Sequence, residues 1–127
     1  MTATTEQNKE LVKKLMDLAF IKKDVTAAAE LITDRYIQHN PNVPTGKAGF
    51  VQGIPMFYQM FPDLKWELKN IWSDGDYVIM HSHYHFTKEG NGTAIVDIFR
   101  VKDGKVDEHW DVIQDIPEKM AHNNGMF

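Results

Sequence analysis

The side chains in this sequence that could move a proton or hold an ion are concentrated in its second half. His81, His83 and His85 alternate along one stretch, and Asp97, His109 and Asp111 occupy two others. A carboxyl group sheltered from water resists ionisation, while a neighbouring histidine pulls the other way. A group so balanced can take and return a proton near neutral pH, which is worth about 10²–10⁴-fold in rate. Asp111 is the candidate base and acid, with His83, His109 and Asp97 tuning it. His39, Asn40 and His81 are candidates for holding a carbonyl or stabilising an enolate. Phe57 and Phe99 would supply apolar contacts to the same guest. Each residue also has a plainer reading. A strand histidine can be a hydrogen-bonded wall residue, and Asp97 can simply fix a histidine tautomer.

The His-x-His-x-His alternation could ligate zinc, with a third ligand from His109 or an aspartate. Its spacing is no dedicated zinc signature, so neither metal nor cofactor is expected. No Gly-rich phosphate loop, nucleophile elbow or dinucleotide fingerprint occurs. The net charge of −4 and scattered basic residues argue against nucleic acid or an anionic membrane as partner.

Positioning these groups depends on a hairpin. Ala94 to Val101 and Val106 to Val112 are rich in Ile, Val and aromatics, and Asp103-Gly104 between them is a strong turn signal. A two-residue turn would pair Val96 with Asp111 and put Asp97 on the opposite face. A three-residue turn with Gly104 in a bulge pairs Asp97 with His109 and keeps Asp111 beside them. The three-residue turn is the expected one. It puts Val96, Ile98, Val106, Trp110 and Val112 on the other face, with Arg100 diagonal to Glu108 as a weak surface pair. A loop centred on Gly90 then sets His83 opposite Asp97 and His81 opposite Phe99. One residue of slip would exchange the faces.

Upstream, Thr4 or Thr5 caps a first helix, with Gln7 completing a capping box. Asp24 caps a second helix reaching Ile32. Tyr36 to Pro41 reads as a short extended segment. Thr45 caps a third helix from Lys47 to Phe61, with a kink or break near Ile54 caused by Pro55. From Leu64 the period becomes two: Leu64, Trp66 and Leu68 alternate with Lys65, Glu67 and Lys69. Pro117 closes the last strand, and residues 118–127 form a loose tail.

The plan is three helices, then four antiparallel strands: a single α+β domain over residues 1–127 whose curved sheet is covered by the helices. The pocket between them would take a small apolar molecule. With 127 residues and no cysteine, the chain can bury roughly two thirds of its unfolded surface without disulfides. Its polar opening residues carry no signal peptide pattern and no apolar run could span a bilayer, so a soluble cytoplasmic protein is expected.

The segments Tyr36-Ile37-Gln38-His39-Asn40-Pro41, Asp74-Gly75-Asp76-Tyr77-Val78, Val96-Asp97-Ile98-Phe99-Arg100 and Gly104-Lys105-Val106-Asp107-Glu108-His109-Trp110-Asp111 resemble the SnoaL-like polyketide cyclases of the nuclear transport factor 2-like superfamily. The resemblance implies a cone-shaped α+β barrel, assembled as a dimer or higher oligomer across the sheet. It implies cofactor-free ring closure by aldol addition, with Asp111 moving the proton. Where the cyclases would carry a histidine partner on the neighbouring strand, this chain has Asp97. Ketosteroid-isomerase-like proton transfer, epoxide hydrolysis, metal-dependent chemistry and non-catalytic ligand binding are the alternatives that the superfamily leaves open.

Overall fold

The computed structural model describes residues 4–127. Helix α1 (Thr5–Met16) starts at the expected cap: Thr4 Oγ1 accepts from the Gln7 amide, and the Gln7 side chain returns the bond. Val12, Leu15 and Met16 form its buried stripe. The helix widens into a π-helical turn over Asp17–Ile21. There the Ala19 carbonyl is met by the hydroxyl of Tyr58 from a later helix. Helix α2 (Val25–Ala29), capped by Asp24, is shorter than expected. Ile32 belongs instead to strand β1 (Ile32–Gln38), where it is fully buried.

Helix α3 (Gly46–Met60) passes through Pro55 without a break. Thr45 precedes it but does not cap it by side chain. Its hydroxyl instead ties down the end of β1, accepting from Gln38 N–H at 3.0 Å and donating to the Tyr36 carbonyl at 3.3 Å. Strands β2 (Lys65–Asp74), β3 (Tyr77–His85), β4 (Thr93–Lys102) and β5 (Lys105–Asp115) follow as consecutive antiparallel hairpins. The curved sheet has the order β1-β5-β4-β3-β2 and is not closed. Strand β1, which the sequence showed only as an extended segment, is its parallel edge beside β5.

The β4–β5 turn departs from expectation. Lys102 faces Lys105 across a two-residue Asp103-Gly104 turn, with both φ values positive at 52° and 77°. That geometry matches strand twist and suits Asp-Gly. A bulge beyond the turn supplies the extra residue: Val101 pairs with Val106, but Arg100 pairs with Glu108. The bulge shifts the parity, so Asp97 and Asp111 still share the helix-facing side with His109. Their pairing differs from expectation: Asp97 faces Asp111, and Phe99 faces His109. Val106 joins the buried core rather than the outer face.

The β3–β4 register is the larger correction. His83 lies opposite Ala94 and His81 opposite Val96, not opposite Asp97 and Phe99. Val78, Met80, Ser82 and Tyr84 point inward instead and are at most 4% exposed. Burying a methionine and a tyrosine outweighs burying histidines, so the alternation settles this way. Val12, Leu15, Ile32, Phe50, Met80, Phe99 and Val106 fill the space between helices and sheet.

Candidate active site in the cleft between helices and sheet

A cavity of about 270 Å³ opens between the helices and the inner sheet face. Its walls are apolar: Leu15, Met16 and Phe20 from the first helical segment, Phe50, Ile54 and Phe57 from α3, and Ile95 and Phe99 from β4. One end is polar, where Gln38, Asn40, Asp97, His109 and Asp111 meet.

Two strand pairs build this end. Cross-strand pairing sets Asp97 against Asp111, and the parallel β1–β5 pairing sets Gln38 beside His109. Asp97 is 3% exposed and His109 7%, whereas Asp111 keeps partial access to solvent. His109 bridges the cluster, with Nε2 at 2.8 Å from Asp97 Oδ1 and Nδ1 at 2.8 Å from Gln38 Oε1. The Tyr84 hydroxyl donates to Asp97 Oδ2 at 3.0 Å. Burial above all, and then the charge of Asp97, holds the Tyr84 phenol well above its ordinary pKa, so it remains a donor. Burial does the same to Tyr36, helped by the Asp97 charge.

Asp111 is held separately. Asn40 Nδ2 donates to Asp111 Oδ2 at 2.7 Å, while Asn40 Oδ1 accepts from the Asn42 amide at 2.8 Å. A backbone N–H can only donate, so this turn fixes which end of the Asn40 amide faces the carboxylate. Asn40, expected to hold a substrate carbonyl, therefore holds Asp111. The ligand atoms of Asp97, His109 and Asp111 lie within 4.8 Å of one another, a spacing open to a cation. Binding one through His109 would break a hydrogen bond already made by either ring nitrogen.

Of the residues singled out from sequence, Asp97, His109, Asp111, Asn40, Phe57 and Phe99 reach the cavity. His39, His81 and His83 do not. His83 lies on the outer face with Nε2 at 2.8 Å from the Asn91 carbonyl, and Phe127 of the C-terminal segment stacks on it with ring centres 5.0 Å apart. His81 packs against the same phenyl ring at 5.0 Å. A side chain on Gly92 (φ 82°) would collide with His83, which ties that histidine to the loop after β3.

His39 stacks on Trp110 at 4.9 Å and reaches Glu108 at 2.6 Å on the outer face. It joins a network centred on Asp107, which is 0% exposed and receives Thr33 Oγ1 at 2.7 Å, Arg35 Nε at 2.9 Å and the Arg100 guanidinium. The hydrogen bond from Arg35 foremost, then those from Thr33 and Arg100, hold the Asp107 carboxyl far below its ordinary range. Arg100 also donates to Glu108 at 3.0 Å, so the pair read as weak is part of a partly exposed bracket around the buried Asp107, behind the site.

The sequence reading passed over Gln38, Tyr84 and Tyr36. Strand alternation signals two of them: a strand that buries Tyr36 also turns Gln38 inward and His39 outward.

The SnoaL-like domain family model matches residues 12–109. The chain belongs to that family. Among solved structures, a protein from Jannaschia sp. CCS1 provisionally called a SnoaL-like polyketide cyclase is 20% identical, with a TM-score of 0.74 over 89% of both chains. A Kribbella flavida protein provisionally called a ketosteroid isomerase is 21% identical, with a TM-score of 0.74 over 94% of this chain and 87% of that one. An NTF2-like protein of unknown function from Mesorhizobium loti is 24% identical, with a TM-score of 0.73 over 90% and 96%. At such identities the likeness is one of fold. No curated protein matches the sequence significantly. Among the described residues, no helix is long and apolar enough to cross a membrane.

Proposed function

We propose that this SnoaL-like chain is a cofactor-free enzyme that removes a proton next to the carbonyl of a small, mostly apolar molecule and returns it. Aldol ring closure and double-bond isomerisation both belong to this class. The supporting observation is the division of labour at the polar end of the cavity. Asp97 is buried and engaged by His109 and Tyr84, whereas Asp111 is partly open to the cavity and held by one amide. A carboxylate with free lone pairs facing an apolar chamber is placed to accept a proton from carbon.

In this mechanism the guest packs against Phe57 and Phe99, and Asp111 abstracts the proton. The resulting enolate lies beside the Asp97–His109 pair, whose imidazole edge and the nearby Tyr36 phenol offer positive potential to the developing charge. The carboxylic acid on Asp111 then returns the proton to the carbon at the other end of the enolate, or to the alkoxide of an aldol product. The dry walls strengthen each of these interactions. Replacing Asp111 with Asn tests the assignment: the fold should remain and turnover should vanish.

The names of two neighbours, a cyclase and an isomerase, favour this class. The rival is a binding module of the same fold, in which Asp111→Asn leaves ligand affinity intact and no turnover occurs. On the outer face, exposed Trp72, Tyr77 and Val112 form the surface where a second copy would pack, and a homodimer is part of this proposal.

A further inference from the structure

We propose that Gln38 is a positioning residue that keeps His109 doubly protonated, so that the Asp97–His109 pair stays loaded with one proton and leaves Asp111 as the free base. The argument starts from a backbone group. The amide of Asn40 donates to Gln38 Oε1 at 2.9 Å. A peptide N–H cannot accept, so the atom that it meets must be the oxygen of the side-chain amide. The same oxygen lies 2.8 Å from His109 Nδ1. Two acceptors cannot share that distance, so Nδ1 carries a hydrogen.

The other ring nitrogen then has no freedom. A neutral imidazole protonated at Nδ1 has a bare Nε2, yet Nε2 lies 2.8 Å from Asp97 Oδ1. A second proton must lie on that line. The Tyr84 hydroxyl donates to the other Asp97 oxygen at 3.0 Å, which favours the ionised carboxylate and leaves the proton on nitrogen. His109 is thus an imidazolium between Gln38 and Asp97, with Phe99 against its ring at 4.8 Å. The charges of His109 and Asp97 cancel, and Asp111 on the same strand carries the uncompensated negative charge.

This inference deepens the proton-transfer reading and rests on it only for its effect on turnover. The protonation itself is present in the resting protein, without substrate. Nitrogen-15 NMR of histidine-labelled full-length protein at pH 7 tests it, with the His109 signals identified by their loss in His109→Gln. The wild type should show both His109 nitrogens protonated. Gln38→Glu, which keeps an acceptor oxygen, should retain that pattern. Gln38→Leu should move Nδ1 to the position of an unprotonated nitrogen, leaving a neutral ring that donates from Nε2 to Asp97. A bare nitrogen in the wild type, or a persisting imidazolium in folded Gln38→Leu, overturns the proposal. If Gln38→Leu does not fold, the wild-type and Gln38→Glu spectra still decide it. An imidazolium in a protein without turnover would refute the enzymatic reading alone.

Discussion

Asp97 and Asp111 face each other across β4 and β5, yet their surroundings differ. Asp97 is buried, with Tyr84 on one oxygen and His109 on the other, while Asp111, among the described residues, meets only Asn40 as a side-chain partner and opens to the cavity. Two carboxylates in one site can hold separate roles when their environments are this unequal. In the proposed mechanism Asp97 anchors and Asp111 acts.

Replacing Asp97 with Asn should therefore impair rather than abolish function. The amide keeps the shape but removes the charge that pairs with His109. Turnover should fall about 10²-fold, the lower end of what a proton-handling arrangement contributes. Steady-state kinetics of the variant would check this, and kcat should carry the loss rather than KM.

Tyr84→Phe removes one hydroxyl from a buried carboxylate. A hydrogen bond to a charged group contributes about 1.5–3 kcal/mol, and Asp97 Oδ2 would be left without this donor. Urea unfolding should show a loss of that size at an unchanged m-value.

The outer-face histidines supply the opposite expectation. Because His81 and His83 pack against Phe127 and away from the cavity, His81→Gln and His83→Gln should leave kcat/KM within twofold of wild type, at most about 0.4 kcal/mol. A large loss in either variant would mean that the sheet face has been assigned wrongly.

Much of this was legible in the residues. The Thr4 and Asp24 caps, the period-two run from Leu64 and the Asp-Gly turn are local signals, and the structure carries all four. Asp97, His109 and Asp111 meet as expected, although by another route: a two-residue turn plus a bulge gives the same parity as the three-residue turn. The β3–β4 register was not legible, because the loop through Gly90 and Gly92 has no fixed length in sequence and an odd shift turns every side chain over. Weighing Met80 and Tyr84 against three histidines would have chosen the face correctly. The parallel β1–β5 pairing is non-local, and nothing near Ile32 announces it.

Acid stability should report the bracket behind the site. Asp107 and Glu108 both have carboxyl pKa values held below their ordinary range, Asp107 chiefly by Arg35 and Glu108 chiefly by His39. Unfolded carboxylates titrate near pH 4, so between that point and the folded values the unfolded chain binds more protons. The stabilisation is present above about pH 4 and is lost as pH falls below it. Urea midpoints measured from pH 7 down to pH 3 should decline, and Asp107→Asn should flatten the decline. At pH 7 the same variant should lose about 1.5–3 kcal/mol through its charged hydrogen bonds.

The most direct test of Asp111 as the base is the exchange of carbon-bound hydrogen. A panel of alicyclic β,γ-unsaturated ketones and 1,3-diketones incubated in D₂O can be followed by proton NMR. The wild type should speed deuterium incorporation beside the carbonyl of at least one of them above the buffer rate. Asp111→Asn should retain no more than about 1% of that acceleration. An Asp111→Asn protein that exchanges as fast as the wild type would contradict the assignment.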